Sequence, residues 1–338
     1  MWLFTLLSTR KRLKERGILG MNRRNHAYIG RYNPRSKYPI VDNKVESKKL
    51  AIAAGVSVPK LLHIIESLHE LFLLRPELEK LNEFVIKPAK GSGGKGIMVI
   101  IGRDKDGWIK ASGDKVTFAD VERHISNSLG GLYSLGGNSD VVMIEGLIKA
   151  DPVFDRFSYE GVPDIRTIVF QGYPVMAMMR LATKASDGKA NLHQGAVGVG
   201  LDLATGRSLK AVQFGRPVTI HPDTGHHFDD LIVPHWRRLL ELSSSCYDMT
   251  GLGYLGVDIV LDKEHGPLIL ELNARPGLAI QMANGQGLLP RLEAVEALDK
   301  GHTTNVERVN YSQAYFASHR RVGTVKVSTD SEQPVLPK

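Results

Sequence analysis

Residues 255–273 read LGVDIVLDKEHGPLILELN, two nearly unbroken apolar runs on either side of a polar turn, each run carrying one acid. Short apolar runs bounded by glycine and charged turn residues specify a buried strand pair. With the turn centred between residues 264 and 265, Asp258 falls opposite Glu271. Directly opposed carboxylates, their side-chain bases about 4.5–5.5 Å apart, destabilise a hairpin unless something neutralises them. Asn273, two residues beyond Glu271, shares its face and adds a neutral oxygen. Asp258, Glu271 and Asn273 therefore make a candidate site of hard oxygen ligands, of the kind that holds Mg2+ or Mn2+ with waters and phosphates. The competing reading pairs these acids with Arg275 or Lys263 at the surface; the apolar flanks argue against solvated acids there.

A second stretch, VIKPAKGSGGKGI at residues 85–97, runs from a strand-like segment through Lys87 into a loop crowded with glycine and lysine. Exposed backbone N–H groups beside a strand-end lysine can cradle phosphates. The G-x-x-x-x-G-K-[ST] pattern is absent, and the same loop alone also reads as a flexible hairpin tip. Together with a divalent-cation site far along the chain, it suggests ATP held between a mobile lid and a metal-bearing sheet.

Between these segments strand and helix signals alternate. DNKVESKKLAIAAGVSVP carries Leu50, Ala51 and Ala54 at helical spacing and closes at Gly55 and Pro59; LLHIIESLHELFLL reads as a second helix. EFVIKP, GIMVII and DGWIKA read as strands, and TFADVERHISNSLGG as a helix capped by Thr117. DVVMIEGLI is a buried strand, DIRTIVFQGYPVMAMMRLA two strands about Gly172, and LIVPHWRRLLELSSSCYDMTG a helix stopped by Gly251. The stretch from Gly301 is polar and aperiodic, and disorder is expected there.

Composition sets the class. A chain of 338 residues, 42% apolar, buries a sizeable core. The single cysteine, Cys246, excludes a disulfide framework and reads as inert core in a reducing compartment, so a cytoplasmic location is expected. The net charge of +8 concentrates in residues 10–37 without the aromatic interleaving of a nucleic-acid platform. It reads as a solvated basic face or as attraction to an acidic substrate. No apolar run is long enough for an integral membrane segment. The opening MWLFTLLSTRKRLKERG has its apolar part before its charges and no small-residue cleavage site, so it reads as an amphipathic helix for the core or a membrane surface.

From Asp42 to Leu278 the sequence resembles the ATP-grasp carboxylate–amine ligases, closest to the RimK-type α-L-glutamate ligases. The stretches DNKVESKKLAIAAGVSVP, FVIKPAKGSGGKGI, IEGLIKA, DIRTIVFQGYPVMAMMR, KANLHQGA and GVDIVLDKEHGPLILELNARPGL carry the resemblance in the family's order. It implies an α+β fold of two subdomains clasping ATP, one bearing the lid (about 84–140) and one the metal (about 141–300). Before them would lie a basic segment, 1–41, in place of a full preceding domain. The resemblance assigns Lys87 to ATP phosphates and Gly91, Ser92, Gly93, Gly94 and Gly96 to the lid. Lys90 and Lys95 flank the lid and read equally as solvated. Glu145, Gly146 and Leu147 match the adenine hinge, and Asp164 the ribose-binding acid. Arg166, Arg180, Lys189, Asn191 and His193 match the polar set around the γ-phosphate and acyl acceptor. Asp258, Glu271 and Asn273 match the ligands of two Mg2+ or Mn2+ ions.

Two further departures from the family pattern stand out. DPVFDRFSYEGVP, residues 151–163, looks inserted before Asp164, and Arg275 occupies a place where the glutamate ligases usually have a small residue. A guanidinium there could bind a substrate carboxylate bidentately or close a strand-end salt bridge to Glu271. The resemblance implies phosphorylation of a carboxylate by ATP and attack of an amine on the acyl phosphate, with Lys87, Arg180 and Arg275 neutralising charge and His193 orienting the amine or serving only as a hydrogen-bonding spacer. Glutamate is a plausible substrate, and the acceptor is a small molecule, peptide or protein tail, with homo-oligomerisation left open. The alternatives are an ATP-grasp kinase and a non-catalytic ATP-binding regulator.

Overall fold

The structure, a computed structural model, describes residues 11–318 except Ser92, Leu135 and Lys300. Two antiparallel sheets organise it. The first contains β1 (Leu61–Ile65), β2 (Phe84–Pro88), β3 (Met98–Asp104), β4 (Gly107–Lys110), β5 (Lys115–Val116) and β6 (Val142–Glu145), in the order β1-β6-β2-β3-β4-β5. The second contains β7 (Asp164–Phe170), β8 (Tyr173–Leu181), β9 (Val197–Leu201), β10 (Ser208–Gln213), β11 (Arg216–Val218), β12 (Tyr254–Asp262) and β13 (Gly266–Asn273), in the order β11-β10-β9-β8-β7-β12-β13. Around them pack α1 (Lys44–Ala53), α2 (Leu68–Leu78), α3 (Phe118–Leu129), α4 (Trp236–Thr250), α5 (Ile280–Asn284), α6 (Leu289–Glu296) and α7 (Asn305–Tyr315). The α+β class expected from the sequence is observed. The lid-bearing sheet extends beyond residues 84–140, because β1 and β6 pair beside β2 and complete it.

Each sheet has its own core. Ile65, Leu71, Leu78, Phe84, Ile86, Ile100, Val121 and Ile144 fill the first. A larger cluster under the second sheet takes in Phe170, Met176, Leu239, Tyr254 and Leu292. The supposed insertion belongs to this cluster, since Phe154 and Phe157 are 2% and 1% exposed.

The segment before Asp42 is part of the same body. Leu19, Tyr28, Ile29 and Val41 are buried in the larger core, and Tyr28 stacks edge-on against Phe170. Polar groups fix the register of this wrap: Asn33 Nδ2 donates 2.8 Å to Tyr254 O, and Tyr254 N donates 2.8 Å to Asn33 Oδ1. The opening amphipathic helix falls partly outside the described residues; residues 11–15 are mostly helical and exposed.

Three expectations are corrected. LLHIIESLHELFLL is a strand followed by a helix: Ser67 accepts from Glu70 N while Glu70 Oε2 accepts from Glu66 N, so a cap divides the run. On α1 the buried positions are Val45, Lys48 and Ala51, whereas Ala54 is exposed. The stretch from Gly301 is ordered as far as residue 318 in the described chain. Thr304 and Glu307 form a capping box, and Arg308, Val309 and Ser312 are buried as α7 packs on α4 and β8. The remaining residues of that expected tail lie outside the described ones.

Cys246 is buried, and burial drives its thiol pKa well above the ordinary value, as expected of an inert core cysteine. Among the described residues no helix is long and apolar enough to cross a membrane. If the N-terminal wrap is integral, Tyr28→Ala lowers the unfolding free energy by about 3–5 kcal/mol in chemical denaturation. A loss below about 1 kcal/mol would show that the wrap contributes little.

Candidate active site

The last hairpin does place Asp258 opposite Glu271, by a route the sequence alone did not reveal. Its turn pairs Asp262 with Gly266 and Ile259 with Ile269, a register that would set Asp258 opposite Leu270. A bulge at Leu270 shifts the pairing by one, so that Asp258 meets Glu271 and Gly256 meets Asn273.

Asp258 of the hairpin and Asp164 of β7 are neutralised by Arg166 of β7 and Arg180 of β8. Asp258 pairs in register with Arg166, and Asp164 with Arg180. Arg166 donates to both Asp258 oxygens at 2.7 and 2.6 Å; Arg180 donates to both Asp164 oxygens at 2.5 and 2.7 Å and to Asp258 Oδ2 at 2.7 Å. Two acids and two arginines thus form one buried, charge-balanced cluster. Burial works to raise the Asp258 pKa, but Arg180 and Arg166 overcome it and hold the carboxyl below its ordinary value. Asp164 is pushed up to about 6, chiefly by burial, with Arg180 opposing and the Asp258 charge adding. The two acids raise Arg180 above its ordinary value despite burial.

The residues fit a phosphate-bound Mg2+ better than a preformed cage. Among the described residues no three His, Cys, Asp or Glu side chains group as a metal site. Asp258 Oδ1 accepts one hydrogen bond, Glu271 is 37% exposed, and Lys44 Nζ approaches Glu271 at 3.6 Å, longer than a hydrogen bond. With Asn273 these are hard oxygen donors of the sort that hold Mg2+ through one or two carboxylates plus phosphate oxygens.

Facing Glu271 across a cleft is a row of lysines. The cleft is lined by Lys44, Ser47 and Lys48 of the first helix, Lys87, Gly91, Gly93, Gly94 and Lys95 of the second strand and its loop, Met143 and Glu145, and Ile269 to Leu272. Glu145 lies between two buried ammonium groups, 2.5 Å from Lys48 and 2.7 Å from Lys87. Burial works against the charged Glu145, yet Lys87 and Lys48 hold its carboxyl below the ordinary range. For Lys48 burial wins and lowers its pKa despite Glu145.

The glycine loop is fastened at both ends and open between them. Asp140 accepts from Lys90 N and from Ser134 Oγ, and His124 Nε2 meets Gly96 O at 3.0 Å. Gly93 and Gly94 are exposed with φ of 65° and 77°, backbone that side-chain-bearing residues rarely adopt. Lys95 lines the cleft, whereas Lys90 Nζ reaches Ser139 O. Ser92 lies outside the described residues.

The other sequence candidates are dispersed. Gly146 and Leu147 follow β6, with Gly146 N donating to Lys60 O. Lys189 is exposed and pairs with Asp187; Asn191 Oδ1 caps a short turn by accepting from His193 N, and His193 is exposed. Arg275 makes no salt bridge to Glu271 and stands 5.1 Å over the Tyr38 ring. Asp164, expected on the ribose, is turned into the arginine cluster and is 6% exposed. Lys44 and Lys48 were missed. Their signal was a lysine stripe, at 44 and 48, continuing the buried positions 41 and 51 at helical spacing.

The family model described as sugar-transfer associated ATP-grasp matches residues 23–297. The chain belongs to that ATP-grasp family. The match begins within the wrap, in keeping with its burial. A probable alpha-L-glutamate ligase of Parasynechococcus marenigrum is 28% identical over 179 residues, 53% of this ATP-grasp chain and 28% of that protein. The chain thus spans less than a third of the length of the curated relative it matches. Among solved structures, the D-cycloserine synthetase DcsG aligns at TM-score 0.47 and 15% identity over 82% of this chain and 73% of that one. The ATP-grasp ligase PsnB complexed with minimal precursor aligns at TM-score 0.43 and 16% identity over 87% and 72%. The ATP-grasp reading of the sequence and its likeness to a glutamate ligase are borne out.

If Glu145 is the counter-charge that Lys48 and Lys87 require, Glu145→Gln lowers stability by about 3–5 kcal/mol, because two buried ammonium groups lose the carboxylate that both of them contact. Denaturant titration with an unchanged midpoint would refute that dependence.

Proposed function

We propose that this chain is an ATP-dependent carboxylate–amine ligase, with nucleotide in the cleft between the glycine loop and β13. The observation that carries the reading is the opposition of Lys48, Lys87 and the open glycine loop to Glu271 across one cleft, with Asn273 two residues beyond Glu271 on the same strand. Phosphates would meet cations and free N–H groups on one wall and metal ligands on the other. When bound, Mg2+ supplies neutralisation and orientation of the phosphates.

The chain's own residues divide the work. Lys87 and Lys48 exchange part of their contact with Glu145 for phosphate oxygens, and Gly91 to Gly96 close over them. Glu271, Asn273 and Asp258 would hold the metal, and Arg166 fixes the orientation of Asp258. Gly146 and Leu147, which follow Glu145, would hold the adenine. Arg180 sits beside the acids, where it can stabilise charge on the transferring phosphoryl group. A substrate carboxylate oxygen bonds to the γ-phosphorus as the bond to the ADP oxygen breaks. The amine nitrogen then bonds to the acyl carbon as phosphate departs, and the nitrogen loses a proton. His193 and Arg275, both exposed, are placed on the substrate side in this reading, with Lys189 and Asn191 shaping the same loop.

Incubation with MgATP, a panel of amino-acid and peptide carboxylates and hydroxylamine is expected to give a hydroxamate, which a kinase acting on hydroxyls cannot form. ADP release from a phosphorylated hydroxyl product, with no hydroxamate from any carboxylate, would replace the ligase by a kinase. Lys87→Ala is expected to lower kcat/KM by about a hundred- to a thousand-fold. Glu271→Gln should keep the melting temperature and lose turnover; an unfolded variant with unchanged activity per folded molecule would make Glu271 a structural residue.

A further inference from the structure

The β10–β11 hairpin breaks a local rule that neither the fold nor the cleft explains. Phe214 and Gly215 form its two-residue turn between the paired Gln213 and Arg216, with φ of 50° and 73°. Such a turn needs positive φ at both central positions, which Asn-Gly supplies readily and phenylalanine does not. The ring held this way is 65% exposed, so burial does not offset the strain. A strained backbone presenting an exposed aromatic ring points from structure towards function.

The ring has a defined setting. An added Cβ at Gly195 would come within 2.7 Å of Phe214 Cζ, so the ring lies directly on the loop that carries His193. Phe214 forms one wall of a cavity completed by Leu192, His193, Val212, Ala279 and Met282. Met282 is itself 51% exposed. Val212 pairs with Gly198, Gly198 with Arg180, and Arg180 with Asp164, one row across the second sheet. Directly opposed residues on adjacent strands share a face. The cavity therefore lies on the face bearing the arginine–aspartate cluster, two strands along from Arg180.

Resting on the ligase reading above, we infer that this cavity seats the apolar side chain of an amino-acid substrate, of leucine, methionine or phenylalanine size. Among the described residues, His193 is the one polar side chain in the lining. A sugar or an acidic side chain would give up its water contacts for few partners, whereas an apolar side chain gains burial against aliphatic walls, an aromatic ring and an adaptable methionine. This departs from the glutamate suggested by the sequence resemblance.

Saturation-transfer NMR titrations of the full chain, with Mg2+ and a non-hydrolysable ATP analogue, read occupancy without requiring turnover. The probes are L-leucine, L-methionine, L-phenylalanine, glycine and L-glutamate; ADP release from MgATP with the same amino acids, singly and in pairs, reads the reaction separately. The apolar three should saturate at lower concentration than glycine or glutamate. Phe214→Asn should raise the melting temperature, by relieving the turn, and weaken the apolar probes at least tenfold. Met282→Gln, which keeps size and helix preference, should weaken them in the same direction. Absence of an apolar preference, retained affinity in both variants, or a lower melting temperature for Phe214→Asn with affinity unchanged would overturn the assignment. An apolar preference lost in the variants, with no ADP release for any pair, would support the cavity and count against ligation.

Discussion

The buried pairing of Asp258 and Asp164 with Arg166 and Arg180 is the constraint on which the second sheet depends. It spans three adjacent strands, and its members meet because the registers of β7 with β8 and of β7 with β12 set them side by side. A slip of one residue in either pairing would bury an uncompensated charge, so the cluster selects one register from those that apolar β-strands alone would tolerate. The same selection fixes Asp258, and through the Leu270 bulge Glu271 and Asn273, on one face of the hairpin. Charge balance below the site and donor geometry at its surface are two consequences of one strand alignment.

The first sheet solves the opposite problem. Its cleft wall carries more cation than anion: Lys48 and Lys87 pair with Glu145 and Lys44 stands beside them in the lining, while Glu271 belongs to the other sheet. Lys44 joins the two walls, donating 2.6 Å to Gly91 O and approaching Glu271 at 3.6 Å. In the proposed ligase a polyanion entering between them would complete a charge balance the protein leaves open. The loop above it is tied down by Asp140 and His124 yet leaves Gly93 and Gly94 exposed with positive φ. Anchored ends and a free centre limit what closure costs in conformational entropy.

How much of this was legible beforehand depended on whether a feature is local. Glu271 and Asn273 could be grouped from the sequence because strand alternation places them on one face whatever the rest of the chain does, whereas Asp258 joins them only through the bulge at Leu270. The start of α3, where Thr117 and Asp120 form a capping box, was legible for the same local reason, and Ser67 with Glu70 carried an equally local capping signal that the surrounding apolar run obscured. The bulge at Leu270 was not legible; it compensates a turn one half-step shorter than assumed, so the correct pairing came from two cancelling shifts. Lys48 escaped notice because a lysine in a basic helix looks solvated until the strand bearing Glu145 is seen beside it. The ion cluster required strand registers between segments distant in sequence, and Asp164, which looked like a ligand-facing acid, turned out to be committed to Arg180. Phe214 gave no sequence signal, since only its backbone conformation makes it unusual.

The proposed ligase chemistry requires nucleotide in the space between the glycine loop and the last hairpin. Hydrogen exchange of the full chain, followed peptide by peptide with and without Mg2+ and a non-hydrolysable ATP analogue, measures this at both walls at once. Slowed exchange in residues 91–96 together with residues 269–273, while α7 is unchanged, is the result the structure predicts. Nucleotide-dependent protection elsewhere, with both walls exchanging as in the free protein, would contradict it.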